Sequence, residues 1–128
     1  MDDATKEFFD RGLKVRKQVL GAEYVDKSLA NADPFNMVLQ ESVTAFAWGT
    51  VWNRPGLELK TRSMLNLAML AALGREAELR LHLVGALNNG VTKMEIAEIF
   101  LQAAVYSGYP SAVSAFRTAR EVFKERGI

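Results

Sequence analysis

From Met64 to Leu73 the sequence reads Met-Leu-Asn-Leu-Ala-Met-Leu-Ala-Ala-Leu, the bulk of a segment that opens at Leu59. Wound into a helix, these apolar residues cover nearly every face, and Asn66 alone interrupts them. A helix that is apolar all round is normally buried, either in a core or between subunits. At 128 residues the chain is long enough for one ordinary domain and too short for two. A monomer of that size does not readily conceal such a helix. The expectation is therefore a single domain, residues 1–128, that forms an oligomer.

The flanking sequence gives repeated helix signals and no strand alternation. A first helix is expected from about Ala4 to Leu20, stopped by Gly21, with a short helical turn across Tyr24–Leu29. Asp33-Pro34 is a restart: the carboxylate can cap free backbone N–H groups, and proline suits the first helical position. That helix should run to about Val51, where Asn53-Arg54-Pro55-Gly56 breaks it. The apolar segment Leu59–Leu73 ends at Gly74. An amphipathic helix, Glu76 to Asn88, follows, with Leu79, Leu83, Ala86 and Leu87 at helical spacing, and Asn88-Asn89-Gly90 closes it. Thr92-Lys93-Met94-Glu95 is a capping box for the next helix, which reaches about Ser107. Pro110 opens a last helix to about Arg126. The reading is all-α, a bundle of about six helices on short connections.

Composition removes several classes of function. The formal net charge is +1 with basic residues spread along the chain, so no nucleic-acid surface is indicated. There is no cysteine, which excludes disulfides, thiolate metal sites and thiol redox chemistry. One histidine cannot build a multi-histidine metal centre within a chain. The charged start, Met1-Asp2-Asp3-Ala4-Thr5-Lys6-Glu7, lacks a signal-peptide core, and no apolar run approaches the roughly 20 residues of a membrane span. A cytoplasmic protein with no metal, membrane or nucleic-acid partner is expected.

Two stretches carry more than helix information: Ala47-Trp48-Gly49-Thr50-Val51-Trp52-Asn53-Arg54-Pro55-Gly56-Leu57, with Thr61-Arg62-Ser63 after it, and Arg75-Glu76-Ala77-Glu78-Leu79-Arg80-Leu81-His82-Leu83, leading to Ala86-Leu87-Asn88-Asn89-Gly90. Together with Arg16-Lys17-Gln18-Val19-Leu20-Gly21 and Tyr106-Ser107-Gly108-Tyr109-Pro110, they resemble the carboxymuconolactone decarboxylase family over nearly the whole chain. The resemblance implies an all-helical fold shared with alkylhydroperoxidase AhpD proteins and a homo-oligomer, commonly a trimer or hexamer. It implies a cofactor-independent decarboxylation in protocatechuate breakdown, converting 4-carboxymuconolactone to 3-oxoadipate enol-lactone. The AhpD branch carries a C-x-x-C pair four residues before a histidine. Arg75 and Glu78 stand at those positions here, ahead of His82, so the decarboxylase branch is the one that fits.

The chemistry suits such residues. Loss of carbon dioxide leaves an electron pair that the double bond and lactone carbonyl of this substrate can accept as a dienolate. The protein must then stabilise an oxyanion, usually the larger effect, and deliver a proton to carbon. His82 fits the proton role because imidazole titrates near neutral pH, and the resemblance points to it. On pattern alone, a histidine at the border of an apolar stripe is more often structural. Glu78, one turn earlier, can fix the imidazole tautomer and raise its pKa, or form a surface salt bridge with Arg75 or Arg80. For a small dianionic substrate, Arg54, Arg62 and Arg75 are the candidate forks, each with a structural alternative as a cap or bridge. Trp48 and Trp52, at i and i+4, are pocket-wall candidates, although such pairs more often belong to a core or interface. Asn66, if buried, needs a partner.

Overall fold

The computed structural model describes residues 1–128 and contains seven α-helices and no strand. These are α1 (Asp3–Leu20), α2 (Ala22–Ala30), α3 (Pro34–Ser42), α4 (Leu59–Leu73), α5 (Glu76–Asn88), α6 (Lys93–Ser107) and α7 (Tyr109–Glu125), with a π-helical stretch, Val43–Val51, continuing α3. Their contacts divide the chain into two compact units, Met1–Glu58 and Leu59–Ile128. The all-α expectation is met. The short turn expected at Tyr24–Leu29 is a complete helix, α2, which begins directly after Gly21 (φ 94°).

In the first unit, α1 packs along the π-helical stretch. The approach is close enough to exclude any side chain at two glycines. A Cβ on Gly12 would lie 1.9 Å from the Thr44 carbonyl oxygen, and one on Gly49 would lie 2.1 Å from that of Phe8. Beside this crossing, buried Arg16 donates from one guanidinium nitrogen to Gln40 Oε1 (2.9 Å) and Thr44 Oγ1 (3.0 Å). The helix expected to run unbroken to Val51 instead widens after Ser42. There, Trp52 N–H bonds back five residues to Ala47 O at 2.9 Å, and Thr50 Oγ1 reaches Ala45 O at 3.3 Å. Widened turns of this kind are rare and concentrate at functional sites. At the end of the stretch, Asn53 Nδ2 donates to Trp48 O (3.2 Å).

The second unit is a bundle of α4, α5, α6 and α7. Gly74 (φ 70°) and Gly90 (φ 89°) turn the chain in the left-handed region that favours glycine. The Thr92–Glu95 capping box forms as expected, with Thr92 Oγ1 accepting from Glu95 N and Glu95 Oε1 accepting from Thr92 N. Leu67, Leu83, Ile96, Phe100 and Val122 are fully enclosed at the centre of its core. Asn89 does more than end a helix: its Nδ2 donates to Ser63 Oγ at 2.8 Å, fastening the end of α5 to the start of α4.

Within the single chain, helix α4 is buried on one face only. Ser63, Leu67 and Ala71 are buried, but Leu65, Met69 and Leu73 are 48, 52 and 69% exposed. A bundle of this size encloses one face of each helix. The opposite apolar face of α4 stays open to solvent in the single chain.

The Gly12–Gly49 crossing makes a direct test. Because backbone atoms rather than movable side chains block both positions, Gly12→Ala and Gly49→Ala should each destabilise the protein by about 3 kcal/mol, the upper end of overpacking costs. Gly56, where a Cβ meets nothing within 4 Å, serves as the control. Its alanine variant should be neutral or stabilising by up to about 1 kcal/mol. Urea unfolding of the three variants decides, and equal stabilities would contradict the close approach.

Candidate active site

His82 lies in the middle of α5, half-buried, one turn after buried Leu79 and one before buried Ala86. Asn66, half-buried at mid-α4, brings its amide nitrogen Nδ2 to 3.4 Å from His82 Nδ1. The polar residue that breaks the apolar stretch of α4 thus meets the histidine of α5. Sequence reasoning foresaw that Asn66 needs a partner, but pairing between separate helices is set by packing that local pattern does not encode.

Glu78 stands one turn before His82 and is exposed. Its charge favours the protonated imidazole, as expected from the spacing. Burial acts more strongly in the other direction, and the net result is a His82 pKa below its ordinary value near 6.5. The sequence reading gives the direction of the Glu78 contribution. It could not weigh desolvation, because the exposure of a residue at a stripe's border depends on what packs there. Nor is Glu78 held by Arg80, whose guanidinium pairs across to Glu121 and Glu125 of α7.

The arginines are distributed. Arg62, in the first turn of α4, is half-buried. Arg75, exposed at the α4–α5 turn, borders a small hollow of about 60 Å³ that also touches Leu70, Gly74, Leu79 and Ser114. Both belong to the unit that carries His82. Arg54 belongs to the first unit and is exposed in the turn after the π-helical stretch. Trp48 and Trp52 also belong to that unit. They are buried and stacked, with ring centroids 4.6 Å apart and planes 19° from parallel, an arrangement that packs the core of the first unit.

Two larger hollows lie in the second unit, and neither is lined by His82. One of about 420 Å³, between α4 and α6, carries Glu95 and Glu98 and no cation, which suits a dianion poorly. The other, about 610 Å³, is lined by Lys93, Arg120 and Lys124 over Ile96, Phe116 and Phe123. Its charge would suit an anion, and sequence reasoning missed it because these cations lie on two helices separated by a turn. It holds no group that titrates near neutral pH.

The lowered His82 pKa has a consequence for stability. As pH falls through about 6.5, the unfolded chain takes up the imidazole proton before the folded chain does, so folding is disfavoured until the folded-state pKa is passed. Unfolding free energy should thus drop more between pH 7.5 and 5.5 in the parent protein than in His82→Gln. Denaturant titrations at the two pH values measure the difference, and identical drops would contradict burial of a neutral ring.

Comparison with known proteins gives a consistent set of relatives. The model of the carboxymuconolactone decarboxylase family matches residues 38–121. The chain is 49% identical over 120 residues to a 4-carboxymuconolactone decarboxylase of Acinetobacter baylyi, covering 94% of this chain and 90% of that protein. It is 48% identical over 124 residues to a nitrosuccinic acid decarboxylase of Metarhizium robertsii, covering 97% of this chain and 87% of that protein.

Proposed function

The chain belongs to the carboxymuconolactone decarboxylase family, and from that premise we propose that it converts 4-carboxymuconolactone to 3-oxoadipate enol-lactone and carbon dioxide in protocatechuate catabolism. The observation that carries this reading is the 49% identity, sustained over 94% of the chain, to a decarboxylase named for that substrate. The family match runs from residue 38 to 121, across the boundary at residue 58, which supports treating residues 1–128 as one catalytic domain.

In this proposal the carbon–carboxylate bond breaks and its electron pair enters the unsaturated lactone, placing negative charge on the carbonyl oxygen. A proton then adds to the carbon beside that carbonyl. The substrate's own conjugation accepts the electrons, so no cofactor enters the scheme. His82 acts through its neutral ring, and water supplies the proton that adds to carbon. A neutral ring can donate an N–H to the developing oxyanion, an interaction stronger in the transition state than in the reactant. It also places no positive charge beside the departing carboxylate, where a cation would stabilise the reactant. Glu78 tempers the loss of basicity caused by burial. Arg62 and Arg75, in the same unit as His82, are the proposed holders of substrate carboxylates. An arginine on the acetate arm or lactone oxygen assists the reaction, whereas one gripping the leaving carboxylate opposes it.

A second substrate is favoured by a specific observation, the 48% identity to the nitrosuccinic acid decarboxylase. Nitrosuccinic acid is also a small dicarboxylic acid, and its nitro group can take the electron pair as a nitronate. Both substrates ask the same of the protein: hold a dianion, stabilise charge arriving on oxygen and protonate carbon.

The open apolar face of α4, together with exposed Leu101, Val105 and Val113 on α6 and α7, supports a homo-oligomer; a trimer or hexamer in the cytoplasm is the form proposed from the family resemblance. No helix is long and apolar enough to cross a membrane.

Parallel assays of the two substrates test the proposal. Carbon dioxide and enol-lactone should form from 4-carboxymuconolactone with a kcat/KM well above that for nitrosuccinic acid. The reverse order selects the second substrate, and no turnover of the lactone by folded protein contradicts the first.

A further inference from the structure

We infer that Asn66 is the positioning residue of His82: its amide Nδ2–H donates to Nδ1 of the ring, which holds the imidazole proton on Nε2 and makes Nε2–H the donating edge. This deepens the oxyanion-stabilising role proposed for His82 and rests on that reading for its catalytic meaning.

The geometry is a contact between two nitrogens 3.4 Å apart. An amide nitrogen is always a donor and never an acceptor. The contact is favourable only when Nδ1 carries a lone pair, because a protonated Nδ1 would set two donors against each other. With the amide nitrogen turned to the ring, that condition favours neutral Nε2–H over the Nδ1–H tautomer and the imidazolium. The surroundings reinforce the choice. Between Ser63 and Leu73, Asn66 is the single polar residue, so its half-buried amide has apolar neighbours along its own helix. Burial also disfavours the charged ring, in agreement with the neutral form.

The consequence is chemical. A neutral imidazole with its proton fixed on Nε2 can donate toward an oxyanion without reorganising when charge develops. A carboxylate in place of Asn66 would do the opposite, accepting from Nδ1–H and drawing the ring toward the imidazolium.

The sequence contains one histidine, so ring nitrogen resonances are unambiguous. The test is a two-bond nitrogen–proton NMR spectrum of nitrogen-15-labelled protein at neutral pH, without substrate. Nδ1 should resonate as an unprotonated nitrogen and Nε2 as a protonated one. In Asn66→Leu the spectrum should move toward mixed tautomers. In Asn66→Asp, Nδ1 should become protonated, and kcat should fall by roughly 10- to 100-fold with little change in KM, less than the 10²–10⁴-fold expected from losing the His82 ring. A protonated Nδ1 in the parent protein overturns the inference even if neither variant folds. A spectrum unchanged in folded Asn66→Leu also overturns it. The readout is independent of turnover. If the tautomer follows Asn66 while removal of His82 leaves activity intact, the positioning stands and the catalytic role fails. If the tautomer ignores Asn66 while removal of His82 abolishes activity, the catalytic role stands and the positioning fails.

Discussion

Partial burial of the His82 imidazole on α5, within reach of α4, is the constraint on which the proposed chemistry depends. In water the ring would carry a proton about as often as not near pH 6.5. Removed from water it favours neutrality, and the exposed carboxylate of Glu78 one turn away offsets that preference only in part. The neighbouring Asn66 amide, a neutral donor, is compatible with an uncharged ring in a way that a carboxylate is not. In the proposed function, an uncharged ring of this kind stabilises charge that arrives on substrate oxygen.

This local arrangement depends on helices whose outer faces remain unfinished in the single chain. The core of the second unit is closed by Leu67, Leu83, Ile96, Phe100 and Val122, while Leu65, Met69 and Leu73 face outward on the same α4 that supplies Asn66. The first unit depends on a different device, the backbone contact permitted by Gly12 and Gly49, with Arg16 held by Gln40 and Thr44 beside it. Helical order is therefore dictated locally in both units, whereas enclosure of the outer face of α4 falls to neighbouring chains in the proposed oligomer.

Much of this was legible in the sequence, and for identifiable reasons. Capping chemistry is local, so Asp33-Pro34, Thr92–Glu95 and the glycines at 74 and 90 marked their boundaries closely. The π-helical widening after Ser42 was not legible, because an α-helix and a π-helix bury similar residue patterns and differ in which carbonyl each N–H selects. Gly12 gave no signal either, since a mid-helix glycine reads as a weak helix former until the backbone that touches it is known. At the site, the motif pointed to His82 and the spacing to Glu78. The partner at hydrogen-bonding distance, Asn66, lies 16 residues away on another helix, and its pairing emerges only from the way α4 and α5 pack.

The proposed chemistry turns on participation of the His82 ring in decarboxylation. The most direct measurement is kcat for His82→Ala on 4-carboxymuconolactone, made on protein whose helical content and oligomeric state match the parent. The expected result is a fall of roughly 10²–10⁴-fold. Unchanged turnover in the folded variant would contradict it and return His82 to a purely structural role.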